Sequence, residues 1–409
     1  MTNYDETKVP KFDLPDSLTC IDGTNITTPE QWINVRRPEL LRLFSENIFG
    51  ETPDSPNPLR AEIIEEGVAL SKRALRRQIR LFFPERTDTT ATHMDILCYI
   101  PNEIEKPVPL FLGLNFAGNH TIQPDPSILL NSSWISEKWE GVVNNHATEK
   151  SRGTQALRWD IDQIIDRGYG LATVYYGDID PDFDDGYQNG IHPIFYGPNQ
   201  KQPNDDEWGS IGAWAWGLSR ALDYFHADES IDNCRVAVFG HSRLGKSALW
   251  AGVCDERFAL IISNESGCGG AALSRRCYGE TIERINKSFP HWFCNNFRKF
   301  NNNEKNLPVD QHQLIALAAP RPIYIASAVN DRWADPKGEF LSALNANEVY
   351  RLFSHDGLPV QKIPTLEQSV MGRIGYHIRR GGHGVMPYDW NQFLDFSDFS
   401  MPAVNNQYE

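Results

Sequence analysis

The sequence predicts an α/β protein with a mainly parallel central sheet and helices on both faces of that sheet. From about residue 75 onward, short apolar runs rich in β-branched residues recur along the chain, which is typical of strands. Most of the later runs are separated by segments of helical periodicity, and this alternation favours a parallel sheet covered on both sides. The 409 residues, of which 40% are hydrophobic, are enough for one large domain or two smaller ones.

The first sixty residues do not show this alternation. They are rich in Pro, Asp and Asn, and they contain one helical stretch, "WINVRRPELLRLFSENIFG". We therefore predict that residues 1–60 form an N-terminal lead-in layer, and that residues 1–409 together make a single α/β domain.

The predicted strands follow in chain order. Their sequences are "RQIRLFF", "HMDILCYIP", "VPLFLGLNF", "GLATVYY", "CRVAVFG", "FALIISN", "RPIYIASA" and "IGYHIRR". The first ones are close together along the chain, which suits an antiparallel edge. In "WGSIGAWAWGLSRALDYF", Ile211, Trp214, Leu218, Leu222 and Phe225 recur at helical spacing and predict one buried stripe.

Charge and composition argue against several classes of protein. The formal net charge of −15 disfavours binding to nucleic acid or to an anionic membrane surface. The sequence has no apolar run of transmembrane length. Its seven cysteines include no C-x-x-C pair, so we expect free thiols, mostly buried, and no structural zinc site.

The segment "VFGHSRLGKSALW" reads as a strand, a turn and the start of a helix. Ser242 falls on the turn, which is where α/β-hydrolases place their nucleophile. The usual pattern is G-x-S-x-G, but here the second glycine comes one residue late, since the pair is Gly240 and Gly245. We therefore predict an α/β-hydrolase fold, a three-layer sandwich around the parallel sheet.

A serine nucleophile needs a histidine base and an acid that orients it. In this fold the chain order is serine, acid, histidine. The segment "ASAVNDRWADP" offers Asp331 and Asp335 after a strand, and "RRGGHGVMPYDW" offers His383 after the last strand. Glu265 in "IISNESGCGG" is a competing acid, although it could also be a helix cap or part of a loop salt bridge.

Two cations follow Ser242 closely. Arg243 lies at the predicted start of a helix, where a positive charge is unfavourable. We therefore favour the interpretation that Arg243 serves to stabilise a functional anion nearby. Lys246 lies one turn further on the same face. Two cations and a serine around one pocket indicate a substrate that carries several oxygen atoms.

At these residues the chain resembles a known family. The segments "GHSRLGKSALW", "NESGCGG", "PHWF", "LPVDQHQLIALAAPRPIYIASA", "NDRWADPKGEF" and "GGHG" are similar to those of bacterial glucuronoyl esterases, carbohydrate esterase family fifteen. The similarity spans roughly residues 95 to 390. It implies a metal-free serine esterase without a cofactor. Such enzymes hydrolyse esters between 4-O-methyl-glucuronic acid of glucuronoxylan and lignin alcohols.

The resemblance also implies roles for single residues. Ser242 matches the nucleophile, His383 the base, and Arg243 an arginine of the oxyanion hole. The family acid follows either of two strands, which correspond to Glu265 and Asp331, so that choice stays open. Further matches concern the sugar: Lys246, Trp333 and Glu280 correspond to sugar contacts, and Trp292 is expected to shape the pocket wall.

The chain departs from the fungal members at one position. They carry a disulfide-bonded cysteine directly before the nucleophile, whereas this chain has His241, which we interpret as a buried structural histidine. Because the family acts on plant cell walls, we expect a secreted or periplasmic monomer with no membrane or nucleic-acid partner. No secretory signal is visible in "MTNYDETKVPKFDLPDSL", so we expect that a signal was trimmed.

Three other functions share parts of this pattern. An acetyl-xylan type esterase would use the same triad, but an acetyl ester has no need of the cations beside Ser242. A catalytically inactive hydrolase fold could serve as a carbohydrate-binding protein. A cytosolic peptidase of this fold would usually carry a propeller or a lid domain, and the sequence shows no repeats.

Overall fold

The computed structural model describes residues 2–54, 59–84, 92–102, 104 and 107–402. The strands in this part of the chain are β1 Arg60–Ala69, β2 Ala74–Phe82, β3 His93–Pro101, β4 Val108–Asn115, β5 Val142–Val143, β6 His146–Ala147, β7 Gly170–Tyr175, β8 Ile231–His241, β9 Leu260–Asn264, β10 Ile323–Ala328 and β11 Ile374–Arg379. All eight predicted strands are present among them.

Nine of the described strands form one sheet, in the order β1-β2-β3-β7-β4-β8-β9-β10-β11. The pairs β1/β2, β2/β3 and β3/β7 are antiparallel, and the pairs from β7/β4 to β10/β11 are parallel. The prediction of a mainly parallel sheet with an antiparallel edge is therefore confirmed. The remaining two strands, β5 and β6, form a separate short hairpin.

The helices alternate with the parallel strands. The α-helices are α1 Pro29–Gln31, α2 Arg37–Phe44, α3 Ile161–Asp166, α4 His192–Phe195, α5 Ser210–Ala227, α6 Arg243–Cys254, α7 Ile282–Ser288, α8 Gln311–Ala316, α9 Pro336–Asn345, α10 Asn347–Leu352 and α11 Pro387–Ser400. Two π-helical segments, Trp32–Arg36 and Ser45–Phe49, flank α2. The 3₁₀-helical segments are Glu6–Lys8, Leu70–Lys72, Asn119–Thr121, Glu149–Ser151, Ala156–Arg158, Tyr176–Asp178, Ser274–Arg276, Asn295–Phe300 and Glu304–Asn306.

Two hydrophobic cores cover the two faces of the sheet. The larger core contains the predicted stripe of α5, whose five residues are all fully buried. The smaller core contains Ile164 of α3 together with Trp390 and Phe393 of α11. This arrangement gives the three layers that the sequence predicts, with the sheet in the middle.

Strand β1 was not predicted, and its burial explains why. Its residues lie at the edge of the sheet and are mostly exposed. Ile63 and Val68 are more than half exposed. A strand that buries so little apolar surface carries no apolar run, so its sequence, "RAEIIEEGVA", gives no clear signal.

The N-terminal residues pack on the rest of the chain. The predicted helical stretch is confirmed, since helical turns run without a break from Pro29 to Phe49. Phe49 stacks on Trp250 of α6 with ring centroids 4.4 Å apart. Nearer the start of the chain, the Asn3 carbonyl accepts a 2.9 Å hydrogen bond from the Gly279 N–H. The division into one domain with a lead-in layer over residues 1–60 stays a prediction that these contacts support.

Two further predictions concern cysteines and membranes. All seven cysteines fall in the described part of the chain, where none is disulfide-bonded and four are buried. Among the described helices, none combines the length and the apolar character needed to cross a bilayer.

The parallel strands place four loops at one edge of the sheet. Strands β8, β9, β10 and β11 are consecutive neighbours, so their carboxyl ends lie side by side. Ser242, Glu265, Asp331 and His383 each lie a few residues beyond one of these four ends. Such an edge is where α/β proteins bind their ligands.

Candidate active site

The turn between β8 and α6 holds Ser242 in a strained conformation. Its φ of 58° and ψ of −128° lie where residues other than glycine rarely occur. A Cβ atom on Gly240 would lie 2.0 Å from the Leu244 carbonyl oxygen, and one on Gly245 would lie 3.1 Å from the Gly240 carbonyl oxygen. The turn therefore favours glycine at both positions, because the two residues pack against each other. Gly245 fills the role of the second glycine although it comes one residue later than in the usual pattern.

His383 lies beside Asp331. The His383 Nδ1 atom is 2.6 Å from Asp331 Oδ2, and the His383 side chain is 43% exposed. Asp335, the other candidate in the same loop, points elsewhere: it caps α9 and pairs with Arg276. The structure thus brings Asp331 to the imidazole and gives Asp335 a structural contact.

Glu265 also approaches the His383 Nδ1 atom. Its Oε2 atom lies 3.3 Å from His383 Nδ1 and accepts a 3.1 Å hydrogen bond from the Gly384 N–H. Its Oε1 atom accepts a charge-assisted hydrogen bond from Arg379. Glu265 is fully buried, so a cation and a loop amide hold the acid that lies farther from the imidazole.

The two acids differ in how readily they ionise. Burial raises the pKa of Glu265 to about 7 against the opposing effect of His383 and Arg379. Burial also acts on Asp331, but its hydrogen bond and charge interaction with His383 hold its pKa below the usual value. Burial lowers the pKa of His383, yet the two carboxylates outweigh this and raise it to about 9. The closest ion pair is therefore Asp331 with His383.

These three side chains also have the spacing of a metal site. One ligand atom from each of Glu265, Asp331 and His383 lies within 4.8 Å of the others. However, the Arg379 guanidinium already donates to Glu265, and a resident cation repels a metal ion. The donor set therefore fits a shared proton better than a metal.

Arg243 is held by an acid that the sequence analysis did not identify. Its Nη1 atom donates to Asp182 Oδ2, and its guanidinium lies 4.6 Å from the Trp292 ring centroid. Its Nε atom is buried and has no hydrogen-bond partner among the described residues. Arg243 thus has a counter-charge and an aromatic neighbour, and its Nε–H has no acceptor among the described residues.

Asp182 accepts hydrogen bonds from four side chains. Besides Arg243, the donors are Tyr176 at 2.9 Å, Trp292 at 2.8 Å and His291 at 3.0 Å. A signal for it was present: "DIDPD" follows the predicted strand "GLATVYY" at the same edge of the sheet.

The predicted sugar contacts form a second group. The Lys246 Nζ atom donates to the Ser266 carbonyl at 2.6 Å and lies 4.0 Å from Glu280 Oε2. The Glu280 N–H donates to the Trp333 carbonyl at 3.0 Å. Burial raises the pKa of Glu280 and lowers that of Lys246, while each partner opposes the shift of the other.

Trp292 and His241 are buried beside these groups. Trp292 is buried and stacks on Phe289 with ring centroids 3.8 Å apart. The His241 ring centroid lies 4.4 Å from that of His383, and its Nδ1 atom is 2.9 Å from the Asn264 amide nitrogen. Burial, followed by the nearby positive charges, holds the pKa of His241 well below its usual value. It is therefore a neutral, packed histidine.

The sheet order and the turn at Ser242 are those of an α/β-hydrolase, and comparisons with known proteins define the family. Residues 191–354 match the family model described as fungal glucuronyl esterase. Among curated proteins, the chain is 51% identical over 400 residues to carbohydrate esterase MZ0003, from an unknown prokaryotic organism, and the match covers 98% of this chain and 92% of that protein. It is also 38% identical to the 4-O-methyl-glucuronoyl methylesterase of Podospora anserina, over 31% of this chain and 28% of that one.

Solved structures agree with these matches. A glucuronoyl esterase from Solibacter usitatus superposes with a TM-score of 0.91 and is 44% identical, covering 97% of this chain and all of that one. The structure of a promiscuous esterase of family 15 from a marine bacterial metagenome also gives 0.91, at 50% identity over 98% of this chain and all of that one. The chain belongs to the glucuronoyl esterases, carbohydrate esterase family 15, and is a carboxylic ester hydrolase.

Proposed function

We propose that the chain hydrolyses esters of 4-O-methyl-glucuronic acid in glucuronoxylan, including its esters with lignin alcohols. The observation that carries this proposal is the cationic Arg243 beside a strained Ser242, with His383 and its acids at the same edge of the sheet. The names of the relatives from Solibacter usitatus and Podospora anserina support the glucuronoyl substrate.

In this mechanism Ser242 attacks the ester carbonyl at C6. His383 takes the serine proton on Nε2, because its Nδ1 side faces Asp331 and Glu265. The proton then passes to the departing alcohol, and an ester of Ser242 remains. Water, activated by the same histidine, releases the free acid and restores the serine. The overall reaction consumes one water and yields one alcohol and one acid.

Arg243 stabilises the oxyanion that forms at C6. Because Asp182 and Trp292 fix its guanidinium, the group does not need to reorganise when the negative charge develops. Lys246, Glu280 and Trp333 hold the hydroxyl groups and the face of the sugar, and Trp292 forms the pocket wall. Buried polar groups of this kind discriminate well between substrates that can and cannot pair with them.

An acetyl-xylan type esterase is the second candidate. It would use the same serine and histidine, but it would leave Lys246 and Glu280 buried without a substrate partner. The non-catalytic and peptidase alternatives are set aside, because the chain belongs to a family of esterases. We also propose that the enzyme acts outside the cytoplasm, since its polymeric substrate is in the plant cell wall, and that it does so as a monomer.

Turnover of two esters tests this proposal directly. We expect the protein to release glucuronate from benzyl glucuronate at least tenfold faster, in kcat/KM, than it releases acetate from acetylated xylan, a difference of about 1.4 kcal/mol in transition-state stabilisation. The Ser242→Ala variant, which should not be labelled by a fluorophosphonate, is the control. Faster release of acetate would favour the acetyl-xylan function.

Replacement of Arg243 tests the oxyanion hole. Arg243→Ala is expected to lower kcat by about 10²-fold or more, with a smaller effect on KM, as for the loss of one oxyanion donor. Arg243→Lys should restore only part of the rate, because lysine lacks the planar guanidinium. Steady-state kinetics on benzyl glucuronate decide the matter: a change in KM alone would make Arg243 a binding residue.

A further inference from the structure

The cationic groups Arg243, Lys246, His383 and Arg379 of the site each lie beside at least one carboxylate. The pairs are Arg243 with Asp182, Lys246 with Glu280 at 4.0 Å, His383 with Asp331 at 2.6 Å, and Arg379 with Glu265. Three of these carboxylates already have a place in the proposed reaction or beside its histidine. Asp182 does not, because the proposed reaction uses only its partner, Arg243.

We propose that Asp182 is a positioning residue that fixes the Arg243 guanidinium and balances its charge, so that the site favours the neutral ester over its anionic product. This inference rests on the proposed function, since it requires a uronate ester as substrate. It adds a positioning residue to that function, and it adds a reason why the site binds the anionic product weakly.

The contacts of Asp182 suit a fixed counter-charge. Its side chain is 4% exposed, and each carboxylate oxygen accepts from two donors: Oδ2 from Arg243 and Tyr176, and Oδ1 from His291 and Trp292. Asp182 therefore holds Arg243 in two ways, directly and through the indole on which the guanidinium stacks. Its pKa is strongly lowered: burial opposes ionisation, but the hydrogen bonds and charges of His291, Arg243 and Trp292 outweigh it.

The charge changes of the reaction explain why a balanced site is useful. The ester is neutral, and the transition state creates an oxyanion and an imidazolium together, so the site gains no net charge. The free acid, in contrast, binds with one net negative charge after its proton has left. An unpaired Arg243 would therefore strengthen binding of the product much more than binding of the ester. Lys138 lies close enough to interact with both Arg243 and Asp182, which adds to the positive charge that Asp182 offsets.

The test compares inhibition by glucuronate with inhibition by glucuronamide, its neutral analogue, at low ionic strength. For Asp182→Asn, we expect the inhibition constant of glucuronate to fall about tenfold or more, and that of glucuronamide to stay within about twofold. We also expect kcat on benzyl glucuronate to fall about tenfold or more, because the guanidinium is no longer held. In an Arg243→Ala background, the same substitution should lower kcat much less.

Asp180→Asn is the matched control. Asp180 is buried two residues away in the same segment and contacts His192 at 3.2 Å rather than Arg243. Its replacement tests the effect of losing a buried carboxylate, and it should lower the melting temperature without changing the ratio of the two inhibition constants.

Two results would overturn the proposal. One is an unchanged ratio of the two inhibition constants in folded Asp182→Asn. The other needs no variant: wild-type protein that binds glucuronate a hundredfold more tightly than glucuronamide would not have a balanced site. If wild-type protein does not hydrolyse benzyl glucuronate at all, the proposed function itself fails, and the two failures are thereby distinguished.

Discussion

Ser242→Ala is expected to lower kcat on a benzyl glucuronate ester by about 10⁴-fold or more while the protein stays folded. The strained turn places Ser242 at the sheet edge, where we propose that its hydroxyl acts in the reaction and expect that it adds little to packing. Circular dichroism and thermal melting of the variant check the fold, and single-turnover kinetics check the rate. A purified variant with full activity would refute the serine mechanism.

His383→Ala should lose as much activity as Ser242→Ala, and the double variant should lose little more. The reason is that nucleophile and base act as a unit, so that removing either one stops the same step. The measurement is kcat for both single variants and the double variant under one set of conditions. Losses that multiply in the double variant would show that the two residues serve independent steps.

The second large effect concerns the two acids beside His383. We expect Asp331→Ala and Glu265→Ala each to reduce kcat, and the double variant to approach the level of His383→Ala. With one acid removed, the other can still stabilise the imidazolium, since both lie within 3.3 Å of the same nitrogen. The Asp331 variant should lose more, because Asp331 is the nearer acid and Glu265 is engaged by Arg379.

The pH dependence of kcat/KM also tests whether Asp331 and Glu265 both act on His383. The base must be unprotonated, so kcat/KM should rise with pH until the pKa of His383, which is about 9. In Asp331→Asn one negative charge beside the imidazole is gone, which lowers that pKa and moves the rise to lower pH. Glu265→Gln should shift it in the same direction.

One outcome would contradict the sharing of the histidine. If either single alanine variant keeps full activity while the other is as inactive as His383→Ala, then one residue alone is the triad acid. Glu265→Gln serves as the control for packing, because glutamine keeps the size of the side chain. Arg379 also keeps its two contacts with Asp389 in this variant.

Most of the fold could be predicted because its strands are buried on both faces. Strands β4, β7 and β10 contain only buried residues, and their continuous apolar runs are clear in the sequence. The edge strand β1 was missed since it buries little, and a strand of that kind forms through its partner β2 rather than through its own composition.

The sequence allowed the chain order of the site residues to be predicted, but not the distances between their side chains. Chain order and strand ends indicated Ser242, His383 and two acids, whereas the choice between acids depends on about 0.7 Å between two carboxylates and one nitrogen. Arg243 could be recognised as a cation in an unfavourable position. Its counter-charge could not be found by spacing, since Asp182 lies 61 residues earlier in the chain.

The backbone at Ser242 has a consequence for how this chain would evolve without its substrate. A positive φ at a non-glycine residue costs about 1–3 kcal/mol of folding stability. On the proposed function, the hydroxyl of the half-buried Ser242 is the reason that the fold keeps it. Glycine would relieve that strain at once, because it has no Cβ atom and adopts a positive φ readily. A descendant that kept this fold for another purpose would therefore be expected to replace the serine early, and to become more stable as it lost its chemistry.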